Sequence, residues 1–339
     1  VIEVGIVGLG RLGRTHADNI ANRVPNFSLT AVCSIVEEEI DYAKNEWGVN
    51  NTFNSYEEMV DSGLIEAVVI VSPSGFHTEQ VRYAMKAGLH VFTEKPLGVD
   101  EKDIEETINV INSFPDQIFH LGFMRRYDAS YIYAKQLLES GELGEITLIR
   151  CYGIDPSSGM ESFVNFARNS NSGGLFLDMA IHDIDLIRWF TNKEPEKVWA
   201  IGKNAAYPEL DDLNELETGT AMMQLEDNVM ALLVAGRNAA HGYHVETEII
   251  ATNGMVRIGS APEKNLVTVF NSNGVIRPTS QNFPERFREA FINELIEFSN
   301  CIKESRQPEI SAEDGLRSTT IALACQESFN KNKIIDIKE

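Results

Sequence analysis

The sequence predicts an α/β protein of two domains: a doubly wound parallel sheet, then an α+β domain with a large, mostly antiparallel open sheet. Three observations carry that prediction. The chain has 339 residues, more than one hydrophobic core ordinarily serves. Its first third alternates short apolar runs with amphipathic ones, the pattern of βαβ units. After about residue 122, strand-like runs follow one another quickly, as in an antiparallel sheet. The expected boundary divides residues 1–122 from residues 123–339.

In chain order, 2–7, 28–34, 67–71 and 90–93 read as buried strands, rich in Val, Ile, Leu and Phe and bounded by turn residues. Helices are expected at 11–23, after the first glycines, and at 37–47, where Ile40, Ala43, Lys44 and Trp47 recur at helical spacing. A third spans 76–87, with Val81, Ala84 and Met85, and is ended by Gly88. Beyond the boundary, strands are expected at 145–152, 197–203, 218–225, 229–235, 246–251, 255–258 and 266–270. Helices accompany them at 129–140, 181–191, 285–303 and 312–331. Glu226-Asp227-Asn228 and Asn253-Gly254 punctuate the strands, the latter a hairpin signal because both residues tolerate positive φ.

Lys and Arg total 29 against 51 Asp and Glu, a formal charge of −22. The excess is even: residues 1–122 hold 8 basic and 19 acidic side chains, residues 123–339 hold 21 and 32, and each part nets −11. Such a surface repels phosphate backbones and anionic lipid, which argues against nucleic-acid and membrane partners. An apolar share of 43% excludes wholesale disorder, and no apolar run approaches the roughly 18 residues of a membrane span. Cys33, Cys151, Cys301 and Cys325 lack metal-ligand spacing and suit a reducing compartment. A cytoplasmic protein without a secretory leader or a bound metal is expected.

Three motifs carry chemistry. Gly8-Leu9-Gly10-Arg11-Leu12-Gly13 follows the first strand and opens a helix, the strand–turn–helix setting of a dinucleotide site. Gly8 permits the tight turn, Gly10 lets the backbone approach a pyrophosphate, and Gly13 allows close helix–strand packing. At the end of the second strand, where an acid ordinarily binds the ribose 2′-OH, stands Ser34. Its hydroxyl suits a 2′-OH or a 2′-phosphate. Arg11 would help hold a phosphate and Glu37, Glu38 and Glu39 would repel one, which favours NAD over NADP. The second motif, Phe92-Thr93-Glu94-Lys95-Pro96, ends a strand, and Pro96 biases Lys95 toward an extended backbone. Lys95 there is either a hydrogen-bond donor to a reacting oxygen or a surface lysine paired with Glu94. The third motif runs from Gly173-Gly174 through Asp178 and His182 to Asp185. On one helix those three polar residues share a face. A histidine beside a carboxylate suits proton transfer. A solvated acidic face and a divalent-ion site are the competing readings.

The order of these motifs resembles the Gfo/Idh/MocA family of nicotinamide-dependent oxidoreductases, over essentially the whole chain. Four stretches are most similar to its inositol-oxidising branch: Gly122-Phe123-Met124-Arg125-Arg126-Tyr127-Asp128, Gly153-Ile154-Asp155-Pro156, Ser158-Gly159-Met160-Glu161-Ser162, and His182-Asp183-Ile184-Asp185-Leu186-Ile187-Arg188-Trp189. The resemblance implies a Rossmann domain at 1–122, a substrate-binding and oligomerisation domain at 123–339, and a homotetramer. It implies Lys95, Asp178 and His182 as the catalytic set. Ser72, Pro73 and His77, with Glu94 and Lys95, would line the nicotinamide side. Met124 and Arg125 would lie beside the substrate, with Asp155, His241 and Tyr243 as polyol contacts. The implied reaction oxidises a secondary alcohol of a cyclic polyol, foremost myo-inositol to its 2-ketone, with reduction of NAD. His182 would take the hydroxyl proton, Lys95 would stabilise the alkoxide, and Asp178 would orient His182. A scyllo-inositol or pyranose dehydrogenase, an NADP-linked reductase and a non-catalytic nucleotide sensor are the alternatives. Ser34 departs from the Asp of many NAD-preferring relatives and leaves NADP open.

Overall fold

The computed structural model describes all residues except 170–172, 214, 261–262, 273 and 338–339. The chain forms two compact units, one of Val1–Tyr127 and Glu289–Arg317, the other of Asp128–Arg288 and Ser318–Glu339. The sequence-based boundary at 122 leaves 289–317 in the second domain. The structure folds that segment with the first unit, because Leu295, Phe298 and Cys301 complete the core beneath its sheet.

The first unit runs β1 (Ile2–Val7), α1 (Arg11–Asn22), β2 (Phe27–Cys33), α2 (Glu37–Trp47), β3 (Asn51–Phe53), α3 (Tyr56–Val60), β4 (Ala67–Ile70), α4 (His77–Lys86), β5 (His90–Glu94), α5 (Glu101–Asn112) and β6 (Phe119–Gly122). All six strands are parallel, in the order β3-β2-β1-β4-β5-β6. Val4, Ile6 and the whole of β4 are inaccessible to solvent, as expected of central strands covered on both faces. The sequence reading does not place β3, α3, α5 or β6. Both helices carry caps: Ser55 accepts the Glu58 N–H and Asp100 the Asp103 N–H.

The second unit begins with α6 (Ala129–Glu139), β7 (Ile146–Pro156), α7 (Met160–Asn169), α8 (Leu175–Asp178) and α9 (Ile181–Thr191). There follow β8 (Pro195–Lys203), β9 (Thr218–Leu225), β10 (Met230–Ala239), β11 (His244–Ala251), β12 (Gly254–Ser260), the hairpin β13 (Val269–Asn271) and β14 (Gly274–Ile276), and α10 (Phe283–Arg286). After α11 (Arg288–Glu304), α12 (Ala312–Lys331) and β15 (Ile335–Asp336) close the chain. Seven strands form one sheet in the order β12-β11-β7-β10-β9-β8-β15. It is mostly antiparallel, with β7 and β10 the parallel pair. Burial alternates: Ala221, Met223 and Leu225 of β9 are buried, whereas Met222 is half exposed.

Four local expectations are corrected. The helix expected over 285–303 breaks at Phe287, whose buried side chain ends α10 before α11 begins. The strand expected over 266–270 shrinks to β13, whose side chains are solvent-exposed, so no core extends it. Asn253-Gly254 is not the hairpin centre. Ala251 pairs with Gly254 across Thr252-Asn253, and none of these residues has positive φ. The left-handed turn falls instead at Asp227 and Asn228, between β9 and β10. The fourth correction concerns Asp178 and His182.

Candidate active site

Because the strands of the first unit are parallel, residues that follow them collect at one edge. Gly8 follows β1, Ser34 follows β2, Ser72 lies beyond β4, Lys95 follows β5, and Met124 lies beyond β6. The order reverses at β1, which lies between β2 and β4, and ligands of such sheets bind in the crevice there. Gly8 has φ +86°, and a Cβ on it would sit 2.6 Å from the Val71 carbonyl oxygen. On Gly13 a Cβ would fall 1.8 Å from the Gly8 carbonyl oxygen, so no side chain fits. Gly10 is different: a Cβ there meets no atom within 4 Å, and Gly10 caps α1 without a side-chain hydrogen bond. The space beside Gly10 and the first-turn N–H groups of Arg11, Leu12 and Gly13 fit the pyrophosphate of a dinucleotide.

The nicotinamide-side candidates divide. Ser72 donates to Gln80 Oε1 at 2.5 Å, and Pro73 is exposed. His77 is buried, with its two ring nitrogens 2.7 Å from the carbonyl oxygens of Ser72 and Pro96. Burial outweighs those carbonyls and holds the His77 pKa below its ordinary value. His77 thus clamps the loop after β4 to the loop carrying Lys95, and the Lys95–Pro96 peptide is cis.

Glu94 is also buried. Its Oε1 lies 2.7 Å from His16 Nε2, and its Oε2 accepts the Lys95 backbone N–H at 3.2 Å. Beside them stands Glu294 of α11, inaccessible to solvent, with neither carboxyl oxygen hydrogen-bonded. Atoms of His16, Glu94 and Glu294 lie within 4.8 Å of one another. The absence of solvent, then the Glu94 charge, hold the Glu294 carboxyl well above the usual carboxylate range. A group whose pKa is raised on folding stabilises the fold fully below its unfolded value, near 4.5 here, and progressively less as pH rises toward the folded value. Glu294→Gln removes this titration. Its melting temperature relative to wild type should therefore climb between pH 5 and pH 8, by up to about 1.4 kcal/mol of stability per pH unit. Thermal scans across that range check it, and a constant offset contradicts it.

In the second unit, the helix expected to carry Asp178, His182 and Asp185 on one face is two helices. Asp178 is the last residue of α8, His182 lies in the first turn of α9, and the chain turns at Met179-Ala180 between them. Leu175 and Phe176 cause this by packing α8 onto β9 at Gly219, where an added Cβ would come within 3.0 Å of both. Asp183 and Asp185 are buried, while His182 is partly exposed. Asp178 forms an ion pair with Arg237 of β10 at 2.7 Å. Arg237 is 5% exposed, its guanidinium carbon 3.6 Å from the centre of the Phe163 ring, and its backbone N–H donates to the Glu217 carbonyl. The Glu217 carboxylate accepts the N–H groups of Ala205, Ala206 and Tyr207 and the Asn238 amide. Burial alone would raise the Glu217 pKa, but these donors outweigh it and hold it low.

Sequence reading missed Arg237. The available signal was a lone cation inside the apolar run of β10, a position that burial permits only with a partner. Gly236 and His244 both pair with Ile154 of β7, which brings Arg237, Asp155 and Tyr243 to one end of the sheet. Tyr243 is buried with its ring edge-on to Phe287. His241 is exposed, its Nε2 3.0 Å from His244 Nδ1. In the first unit, Met124 and Arg125 are both buried.

A glycine-rich turn at the switch point of a parallel sheet, joined to a unit built on a large open sheet, defines a dinucleotide-dependent oxidoreductase. The chain belongs to the Gfo/Idh/MocA family: residues 2–119 match the oxidoreductase family with an NAD-binding Rossmann fold, and residues 131–257 match the GFO/IDH/MocA C-terminal domain. It is 60% identical to scyllo-inositol dehydrogenase from Lactobacillus casei, whose crystal structure holds NAD(H) and scyllo-inositol; 99% of each chain is covered, with a TM-score of 0.97. Myo-inositol 2-dehydrogenase from Lactobacillus plantarum is 49% identical over 99% of both chains, with a TM-score of 0.98. Myo-inositol 2-dehydrogenase from Thermotoga maritima is 27% identical over 100% of this chain and 99% of its own.

Proposed function

We propose that this protein oxidises a ring hydroxyl of inositol to the ketone with NAD as the hydride acceptor. The observation that carries the reading is the 60% identity, over 99% of both chains, to an enzyme whose structure holds NAD(H) and scyllo-inositol. Myo-inositol, giving 2-keto-myo-inositol, is the substrate expected from the sequence. The Lactobacillus casei likeness favours a second reading, scyllo-inositol. The two epimers differ only at the reacting carbon and give the same ketone, so they separate by rate and not by product. Initial rates of NADH formation with myo-, scyllo- and D-chiro-inositol and glucose test this. At least one of the first two should exceed glucose in kcat/KM by tenfold or more, and failure of every inositol to reduce NAD ends the proposal.

NAD, held at the Gly8–Gly13 turn, would supply the acceptor for the hydride that leaves the ring carbon. His182 takes the hydroxyl proton and Lys95 donates a hydrogen bond to the same oxygen, favouring its alkoxide. Asp178, ion-paired with Arg237 at 2.7 Å, orients the imidazole. Asp155 and Tyr243 supply groups that bond neighbouring hydroxyls. A pocket built on such hydrogen bonds rejects deoxy analogues strongly, because a missing hydroxyl leaves buried polar groups unpaired.

A homotetramer is part of the proposal. Trp199, Ile201, Met222, Met230, Ile250 and Met255 project, each more than a third exposed, from strands of the second unit's sheet. An apolar sheet face of that kind marks an interface. Sedimentation equilibrium should give four times 37.8 kDa, and a monomer would end this part of the reading. A reducing cytoplasm suits the four buried free thiols, and no helix among the described residues is long and apolar enough to cross a membrane.

A further inference from the structure

β2 ends at Cys33, and the next residue holds the position from which an acidic side chain ordinarily accepts the adenosine ribose hydroxyl of NAD. Here that residue is Ser34. It is buried, and its hydroxyl is engaged twice: Oγ accepts the Val36 N–H at 3.0 Å and donates to Glu39 Oε2 at 2.6 Å. A serine hydroxyl has one proton, so Ser34 has none left for a 2′-phosphate. Glu39 stands in the first turn of α2 with Glu37 and Glu38, and the Ser34 bond draws its side chain back toward the end of β2.

We propose that Glu39, steered by Ser34, is the residue that selects NAD over NADP and takes the place of the strand-end acid. The proposal rests on the NAD-binding reading of this domain. With Oε2 on Ser34, Oε1 remains to accept a ribose hydroxyl. The same charge repels a 2′-phosphate, so the discrimination includes a repulsive element. The nearby guanidinium of Arg14 is held by the Leu9 carbonyl at 3.2 Å and lies 4.5 Å from the centre of the Tyr42 ring. A plainer role for Glu39, helix-start stabilisation by an acid in the first turn, would be shared with Glu37 and Glu38. That role would not distinguish the two dinucleotides.

The test is calorimetric titration of the full-length wild type, Glu39→Gln, Ser34→Ala and Glu38→Gln with NAD and with NADP, with circular dichroism confirming the fold. Wild type should bind NAD at least tenfold more tightly than NADP. Glu39→Gln should shrink that ratio at least tenfold, chiefly by tightening NADP. Ser34→Ala, which frees the Glu39 side chain, should shrink it severalfold, and Glu38→Gln, which removes an equal charge not held by Ser34, should shrink it clearly less than Glu39→Gln does. A wild-type ratio near one, or a Glu39→Gln ratio within twofold of wild type, overturns the assignment. Failure of wild type to bind either dinucleotide overturns the NAD reading itself.

Discussion

Lys95→Ala should lower kcat at least about a hundredfold while the protein stays folded and still binds NAD. This is the size of effect expected when a fixed donor to a developing oxyanion is removed. The expectation rests on how the lysine is anchored. Glu94 Oε2 holds its backbone N–H at 3.2 Å, and His77 clamps the following Pro96 carbonyl at 2.7 Å. Its backbone is therefore fixed before substrate arrives, and electrostatic help depends on such preorganisation. Lys95→Met, which keeps most of the side-chain volume, should fall as far as alanine. If methionine restores activity, the lysine's contribution is packing. Single-turnover kinetics with titrated NAD separate a loss in the chemical step from a loss in binding. Near-full kcat in the alanine variant would show Lys95 to be a surface lysine.

His182→Ala should have an effect of the same order, because general-base help is ordinarily worth 10²–10⁴-fold. Wild-type activity should rise through the neutral range and level off in mild alkali, as a histidine base requires. In His182→Ala the plateau should vanish and the residual rate should keep climbing with hydroxide. Profiles of kcat and kcat/KM from pH 5.5 to 9.5 check both statements. A flat wild-type profile, or an unchanged one in the variant, removes His182 from the role of base. The break between α8 and α9 sharpens the expectation. Asp178 and His182 are not successive residues of one rigid helix face, so the carboxylate's position depends on Arg237.

The outline of the fold was legible mainly where burial is periodic. Strands 2–7 and 90–93 and helix 37–47 agree with β1, β5 and α2 to within a residue. Several elements were missed, α5 among them although Ile104, Thr107, Ile108 and Ile111 recur at helical spacing. β3 has three residues, and α3 and α5 are announced by Ser55 and Asp100 caps. The glycine turn could be read residue by residue, because its requirements are local: positive φ at Gly8 and no room for a Cβ at Gly13. The polyol candidates were less legible, since Asp155, His241 and Tyr243 lie on a sheet whose register no local pattern reveals.

The sequence alone determined the class of protein: two domains, a dinucleotide turn at the first strand's end, and Lys95, Asp178 and His182 as the side chains to test. Backbone conformation and hydrophobic period are local properties, and a linear chain displays them. Tertiary structure decided what holds those side chains. Glu94 finds His16 across 78 positions, Asp178 finds Arg237 across 59, and the segment from 289 to 317 returns to complete the first core. A buried carboxylate must find donors, or have its pKa pushed up as that of Glu294 is, and those donors come from wherever the fold brings them. That pairing is settled by packing over long sequence separations.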